Sequence, residues 1–197
     1  MSHLTLVPAH LIRVRSWSDL GELHRVVMGF FASADLPGES TEKRLSRNIL
    51  FRVDETGDGK VVLVRSDVAP TNLPPGAKTK EVETDSPQVG TPVRFRMTVN
   101  AIHRSRPENP STKRGKGSTP VDDIDAWVTG RLHDALDDIT VFTHDRSVGT
   151  SGKAPLQLDA INGYATVNDV DALEAHLRQG VGRSKAFGCG LLTIARA

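Results

Sequence analysis

The sequence of 197 residues has few of the features of secreted or membrane proteins, which are paired cysteines and long apolar segments. Its one cysteine, Cys189, excludes a disulfide framework and a cluster of several thiolates around zinc, and it indicates a reducing compartment. The apolar stretch near the N-terminus spans only residues 4–7. A secretory signal core needs roughly 7 to 15 such residues and a membrane helix roughly 20. We therefore expect a cytoplasmic protein without a membrane partner.

The charges nearly balance overall, with 25 basic against 24 acidic side chains, but they are unevenly distributed. Residues 94–116 hold seven basic side chains and one acidic, whereas residues 122–138 hold six aspartates and one arginine. A third segment, residues 178–185, holds three basic side chains and no acid. Such a positive surface is typical of nucleic-acid binding, although an ordinary charged surface gives the same pattern.

Hydrophobic periodicity predicts a similar order of elements twice along the chain. In the first half we predict a strand, a helix and three strands, at residues 3–8, 18–31, 47–53, 61–66 and 78–82. In the second half we predict strand, helix, two strands, helix and strand, at residues 92–103, 121–136, 139–144, 156–167, 170–179 and 191–195. This order corresponds to the βαββαβ unit. We therefore predict an α+β protein of two tandem ferredoxin-like (RRM-like) domains, residues 1–85 and 91–197, with a linker around residues 83–90.

The strand predicted at residues 92–103 alternates between apolar and polar side chains, which predicts one buried face and one outer face. The outer face carries Arg94, Arg96, Thr98 and Asn100. The strand leads into a loop at residues 105–120 that is rich in proline, glycine, serine and basic residues. This region either follows a polyphosphate backbone or is a solvated loop. The basic residues of this region are Arg104, just before the loop, and Arg106, Lys113, Arg114 and Lys116 within it.

A glycine-rich segment, GVGRSKAFGCG, occupies residues 180–190. Glycines allow positive φ angles and close backbone approach, so successive N–H groups can bind an anion, and Arg183 and Lys185 supply matching charge. The alternative is a tight bend that leads into the last strand. The four glycines are Gly180, Gly182, Gly188 and Gly190.

His24 lies at the edge of the apolar stripe of the first predicted helix. This position suits either a packing histidine at the helix boundary or a catalytic one. The remaining histidines lack the HxxxH or HExxH spacing of zinc sites, and no nucleophile elbow is present. We therefore predict neither a metal site nor a cofactor.

Several motifs, in order from about residue 11 to the C-terminus, are similar to those of the CasE family of CRISPR-associated endoribonucleases. They are HRVVMGFF on the first helix, VLVRSD, KTKEVE and VRFRMTVNAIHRS in the middle of the chain, and GVGRSKAFGCGLLTIA at the end. The resemblance implies two ferredoxin-like domains that cleave the repeat hairpin of precursor CRISPR RNA. It also implies that the protein keeps the product hairpin bound, joins the other protein subunits of the Cascade complex, and is a monomer when isolated.

The resemblance places the catalytic histidine at His24. In the implied reaction, which needs no metal, the ribose 2′-OH attacks the adjacent phosphate and leaves a 2′,3′-cyclic phosphate and a 5′-OH. A histidine can accept or donate the proton, and we favour donation. Many family members carry a tyrosine where this sequence has Gly21, so the second catalytic group is open among Tyr164, Arg25, Ser33 and Lys185.

The departure at Gly21 leaves a second interpretation open, in which the protein is a non-catalytic scaffold that binds the RNA hairpin. A regulator that binds a small molecule is also compatible with the fold, but the basic segment argues against it. The resemblance implies that RNA is bound by Arg25, the basic loop, and the glycine-rich segment with Arg183 and Lys185. Because aromatic residues number nine and no two share one alternating strand, we expect contacts from arginine to dominate over base stacking.

Overall fold

The computed structural model describes residues 2–37, 42–82, 87–104 and 118–197 of the chain. The N-terminal unit contains strand β1 (Ser2–Pro8), helices α1 (Leu20–Gly29) and α2 (Lys43–Ser46), and strands β2 (Leu50–Thr56), β3 (Gly59–Ser66) and β4 (Lys78–Val82). These strands form an antiparallel sheet in the order β2-β3-β1-β4. Residues 67–77 stand where a second helix is expected, and they form none.

The C-terminal unit repeats this sheet order with both helices present. It contains β5 (Pro92–Val99), β6 (Ile102–Arg104), β7 (Ser118–Pro120), α3 (Ile124–Leu132), β8 (Leu136–Ser151), β9 (Ala154–Val167), α4 (Val170–Gln179) and β10 (Thr193–Arg196). The large sheet has the order β10-β5-β9-β8, and β6 pairs with β7 separately. The two sheets confirm the predicted α+β architecture of tandem ferredoxin-like domains. The domain limits 1–85 and 91–197 remain a prediction.

Local side-chain chemistry explains where the helices begin. Asp19 caps α1 by accepting a hydrogen bond from the Glu22 backbone N–H at 2.9 Å. Asp123 caps α3 by accepting one from Ala126 N–H at 2.9 Å, so this helix begins later than predicted. After Gly29, Phe30 bonds back to Val27 with the tighter spacing of a turn, which ends α1 earlier than predicted.

Strand β5 ends at Val99, earlier than predicted, because side chains replace the backbone partners there. The Asn100 side chain donates to the Gln157 carbonyl at 2.8 Å, and Ala101 N–H donates to the Asp159 carboxylate at 3.1 Å. The chain then pairs again as β6 and β7. Strand β8 is much longer than the six residues predicted, because its pairing with β9 continues without interruption through residues 145–151. Two irregularities, between residues 137 and 140 and between 141 and 143, break its alternation nearer the start.

The outer face predicted for β5 is wrong for half of its residues. Thr98 and Asn100 are buried, and Arg96 forms an ion pair with Asp54 of the N-terminal unit at 3.0 Å. The buried guanidinium of Arg52 crosses the same boundary and donates to the Arg96 carbonyl at 2.8 Å. The two sheets therefore contact each other through polar groups of β2 and β5.

The long β8–β9 hairpin makes a second contact between the units. Thr150 N–H donates to the Ser18 carbonyl at 2.7 Å, just before α1 begins. Gly149 leaves room for the Leu20 side chain, since a Cβ there would lie 2.7 Å from it. The start of α1 is thus held by the C-terminal unit, which fixes the helix that carries His24.

Candidate functional site

The ring of His24 lies on α1 at the boundary between the two units. It is half-buried, and it meets the ring of Phe187 edge to face, with 6.4 Å between the ring centroids. Its Nδ1 atom is buried and has no hydrogen-bond partner among the residues that the structure describes. Since a buried atom cannot reach a ligand, Nε2 is the nitrogen through which this ring can exchange a proton.

The electrostatic surroundings of His24 are positive. Burial lowers the pKa of His24 most, and the guanidinium groups of Arg44 and Arg25 lower it further. Arg44 is itself half-buried, which lowers its own pKa, and it donates to the Ile49 carbonyl at 3.0 Å. The imidazole is therefore neutral at pH 7, and the cations beside it are suited to bind an anion.

Lys185 adds a third cation from the C-terminal unit. Its ammonium group donates to the Gln179 carbonyl at 2.7 Å, and burial followed by the charge of Arg44 lowers its pKa. Lys185 and Phe187 lie on the same short 3-10 turn, residues 185–187, so one segment places an aromatic ring and a charge next to α1. Arg44 of the N-terminal unit and Lys185 of the C-terminal unit thus lie close to each other.

Backbone hydrogen bonds join the two ends of the glycine-rich segment to each other and to β5. Val181 N–H donates to the Gly190 carbonyl at 2.9 Å, and Gly190 N–H donates to the Thr98 carbonyl at 2.7 Å. Gly190 has a φ of +88°, and a Cβ there would lie 2.8 Å from the Val181 carbonyl oxygen. A Cβ at Gly180 would lie 2.9 Å from Leu50 on β2. These glycines serve close packing between backbones and between units.

The other two glycines of the segment differ in how closely they are packed. Gly188 packs on the Phe51 ring, where a Cβ would be 3.2 Å away, whereas Gly182 has only Trp127 at 3.5 Å. The structure thus supports the interpretation of the segment as a tight bend. The binding of RNA by Gly180, Gly182, Gly188 and Gly190 remains a prediction.

The structure brings four charged or titratable side chains together: His24, Arg25, Arg44 and Lys185. Sequence reasoning missed Arg44, since an isolated arginine on a four-residue helix gives no recognisable signal. Arg183 is exposed on the glycine-rich segment. Arg104 ends β6, whereas the predicted RNA contacts Arg106, Lys113, Arg114 and Lys116 lie outside the described residues.

Of the candidate second groups, Lys185 and Arg25 lie in the cluster. Tyr164 stacks on Phe142 in the C-terminal sheet, and Ser33 lies in the turn after α1. Gly21 leaves open space one helical turn before His24, because a Cβ there would meet only the Asp19 carboxylate, at 3.4 Å. A Cβ atom at this position is therefore sterically possible.

A buried carboxylate, that of Asp159, anchors the chain just before β6. Asp159 accepts hydrogen bonds from Arg146 at 2.7 Å and from Gln157 at 2.6 Å, as well as from the Ala101 backbone. Burial alone would raise the pKa of Asp159, but these bonds and one with His144 lower it overall. Arg146 also donates to the Val121 carbonyl at 2.7 Å, so both ends of the β6–β7 hairpin are tied to β8 and β9.

Three further features concern metal binding, thiol chemistry and membrane insertion. In the part of the chain that the structure describes, no group of three or more His, Cys, Asp or Glu side chains converges as metal ligands would. Burial raises the pKa of Cys189 to about 12, which makes its thiol unreactive at neutral pH. Among the described helices, none has the length and apolar character needed to cross a bilayer.

The chain is similar to known proteins along nearly its whole length. Residues 1–196 match a family described as CRISPR associated protein. The CRISPR system Cascade subunit CasE of Escherichia coli K12 is 31% identical over 208 residues, which cover 94% of this chain and 96% of that protein. The crystal structure of Cas6e from E. coli K-12 is 28% identical, covers 100% of both chains and has a TM-score of 0.71.

A more distant similarity concerns the fold alone. Cse3 of Thermus thermophilus, bound to an RNA representing a pre-cleavage complex, is 20% identical, covers 98% of both chains and has a TM-score of 0.68. The two-sheet architecture is therefore common to proteins of very different sequence.

Proposed function

Because this chain belongs to the CasE family of CRISPR-associated proteins, we propose that it is an endoribonuclease that cleaves precursor CRISPR RNA within the repeat hairpin. In the proposed step, the ribose 2′-oxygen bonds to the adjacent phosphorus while the bond to the 5′-oxygen breaks. The products are a 2′,3′-cyclic phosphate and a 5′-OH, and no metal ion takes part. The product hairpin stays bound, and the protein acts as a subunit of Cascade.

The observation that carries this proposal is the position of His24 among Arg25, Arg44 and Lys185 at the boundary of the two units. The reaction develops negative charge on the phosphate oxygens, which nearby cations stabilise. It also requires a proton to leave the 2′-OH and another to reach the 5′-oxygen. A histidine with an open Nε2 performs either transfer, and each is worth about 10² to 10⁴ in rate.

The lowered pKa of His24 supports the role of base in the free protein, in contrast to the acid role favoured from sequence. An unprotonated ring accepts the proton from the 2′-OH, and its pKa rises once the negative phosphate lies beside it. Lys185 is the described residue best suited to donate to the leaving oxygen, because its lowered pKa makes its ammonium a stronger acid. Arg25 and Arg44 hold the phosphate.

RNA binding follows from the same charges. The A-form major groove is too narrow to read, so stems are held through phosphates and 2′-hydroxyls. Arg183 extends the positive cluster along the glycine-rich segment. Arg104, at the end of β6, and the predicted contacts Arg106, Lys113, Arg114 and Lys116, which lie outside the described residues, add positive charge for contacts with phosphates. Other Cascade subunits are the expected protein partners.

A scaffold that binds the hairpin without cutting is the second candidate. Two observations favour it: Gly21 in place of the family tyrosine, and the absence of a partner for the His24 Nδ1 atom among the described residues. In both the acid and the base role Nδ1 keeps a hydrogen, and in the described structure this hydrogen has no acceptor.

A cleavage assay separates these two candidates. Purified protein is incubated in EDTA with its cognate repeat RNA and with the same RNA carrying a 2′-deoxy nucleotide at the cleavage site. We expect cleavage of the first RNA only, with a cyclic phosphate end. His24→Ala should lower the rate by about 10² to 10⁴ and leave affinity unchanged, whereas the exposed His10→Ala should change neither. Cleavage of the 2′-deoxy RNA, or a requirement for metal, would contradict the mechanism.

A further inference from the structure

The outer face of the C-terminal sheet carries an exposed pair of aromatic side chains. The rings of Phe142 on β8 and Tyr164 on β9 have centroids 4.8 Å apart and planes inclined by 36°. Each side chain is 46% exposed, which is high for aromatic residues of this size. This pair was not visible in the sequence, because its two members come from different strands and Phe142 falls where the β8 register shifts between Val141 and Thr143.

The groove beside this pair has a volume of about 340 Å³. Small-ligand sites begin at about this size, so the groove suits one or two flat rings better than a helix of a protein. Its lining combines guanidinium, amide and hydroxyl groups with the aromatic ring of Phe142. The polar side chains are Arg94, Arg96, Asn162 and Thr193.

The charge of this groove is positive. Arg94 pairs with Tyr164 in the β5–β9 register and is exposed, so its guanidinium extends from the strand next to the tyrosine. Arg96 shares the single carboxylate of Asp54 with Arg52, and these three groups together carry a net charge of +1. The groove thus offers two positive charges beside an aromatic surface.

The opposite side of the aromatic pair is acidic. Thr166, two residues after Tyr164 on β9, donates its hydroxyl to the Asp138 carboxylate at 3.2 Å. An anionic chain that crossed the sheet would therefore place its phosphates towards β5 and away from the start of β8. Its bases would then lie over β9 and β8, where the two rings are exposed.

We propose that this face is a binding site for unpaired RNA nucleotides, whose bases stack on Tyr164 and Phe142 while a phosphate contacts Arg94. The proposal rests on the proposed function in that the ligand is RNA, and it adds a second site for the single-stranded part of the repeat next to the hairpin. Exposed aromatic rings bind bases of any sequence through their faces, and arginines supply the charge. A protein partner is the alternative that the flanking arginines and the small size of the patch disfavour.

The test uses the full chain and three RNA probes: the repeat hairpin alone, the hairpin with its unpaired flanking nucleotides, and a short unstructured oligouridine. We expect Tyr164→Leu to weaken binding of the second and third probes about tenfold, since loss of one stacked base has an effect of this order. Binding of the hairpin alone should not change. Tyr164→Phe should restore wild-type affinity, and the exposed Leu45→Ala serves as a control on the other unit.

A second measurement does not depend on any variant. The oligouridine is prepared with 5-iodouridine and irradiated in complex with the wild-type protein, and mass spectrometry should locate the cross-link on Tyr164 or Phe142. Arg94→Gln should lower the salt dependence of oligouridine binding by about one phosphate contact.

The outcomes separate this inference from the proposed function. If Tyr164→Leu binds all three probes like wild type, or if the cross-link maps elsewhere, the inference is wrong even when the hairpin is cut. If the hairpin is not cut but oligouridine binds through Tyr164, the proposed function fails and this site stands. If Tyr164→Leu changes only the assembly with other proteins, the face is a protein interface and the inference is overturned.

Discussion

Replacing Arg52 with methionine tests how firmly the two units are joined. The Arg52 side chain is almost fully buried, and its guanidinium makes a two-point contact with Asp54 at 2.8 and 2.9 Å. It also donates to the carbonyls of Arg96 at 2.8 Å and Leu191 at 3.0 Å, and to the Thr193 hydroxyl at 3.1 Å. The Arg52→Met variant keeps an unbranched apolar stem similar to that of arginine but removes every one of these hydrogen bonds.

The expected size of the effect follows from these contacts. Breaking a buried ion pair by removing one partner costs about 3 to 5 kcal/mol. Asp54 keeps Arg96 as a partner at 3.0 Å, so the lower end, about 3 kcal/mol, is expected here. For a chain of this length, 1 kcal/mol corresponds to about 2 to 4 °C, so the melting temperature should fall by roughly 6 to 12 °C.

Thermal unfolding followed by circular dichroism measures this shift. Arg52→Lys keeps the charge but cannot form the two-point contact, so its melting temperature should lie between those of wild type and Arg52→Met. Arg15→Met is the matched control, because Arg15 is 83% exposed and its pair with Glu22 should contribute less than about 1 kcal/mol. Equal melting temperatures for the Arg52→Met and Arg15→Met variants would refute the reasoning.

Three further predictions concern the site. In Arg44→Gln the pKa of His24 should rise towards its ordinary value, because a repelling cation is gone. If the neutral ring is the base, the acidic limb of a plot of single-turnover cleavage rate against pH should then move to higher pH. An unchanged acidic limb would count against the electrostatic argument. Gly21→Tyr should fold, because a Cβ at this position makes no close contact, and it should cleave faster than wild type. An equal or lower rate in this variant would count against the missing phenol as the limiting group. Gly190→Ala should destabilise the protein and weaken hairpin binding, because its Cβ would lie 2.8 Å from the Val181 carbonyl oxygen. Gly182→Ala should lose only about 1 to 2 kcal/mol of the free energy of unfolding, through its positive φ, as measured by denaturant unfolding. Similar losses in the two variants would show that the structure relaxes around the Gly190 substitution.

Features that depend on near neighbours in sequence were predicted well. The stripe predicted for α1 is buried throughout, from Leu20 and Leu23 to Val27, Phe30 and Phe31. Helix periodicity and N-terminal capping involve residues three or four positions apart, so the sequence contains all the information they need. Helix α4 matches its predicted range, Val170–Gln179, because Asp169 caps its start and Gly180, with a φ of +77°, ends it.

Features that depend on the other unit were predicted poorly. The polar face of β5 was expected to be open because alternation indicates two faces but not what covers them. Thr98 and Asn100 are buried there, and Arg96 meets Asp54 across the boundary. The pairing of Phe142 with Tyr164 was likewise missed, since it needs both the β8–β9 register and the irregularity within β8.

In the candidate site, too, the residues that belong to sequence motifs were predicted, whereas the contacts that depend on tertiary packing were not. His24 and Lys185 were identified from motifs, whereas the proximity of Arg44 to His24 depends on the tertiary fold of the N-terminal unit, and the contact with Phe187 arises only when the units dock. Burial is the largest cause of the lowered His24 pKa, and the ring of Phe187 from the C-terminal unit packs against the imidazole. Because burial lowers the pKa of His24 and Phe187 packs against its ring, we expect a change that separates the units to move this pKa back towards its ordinary value.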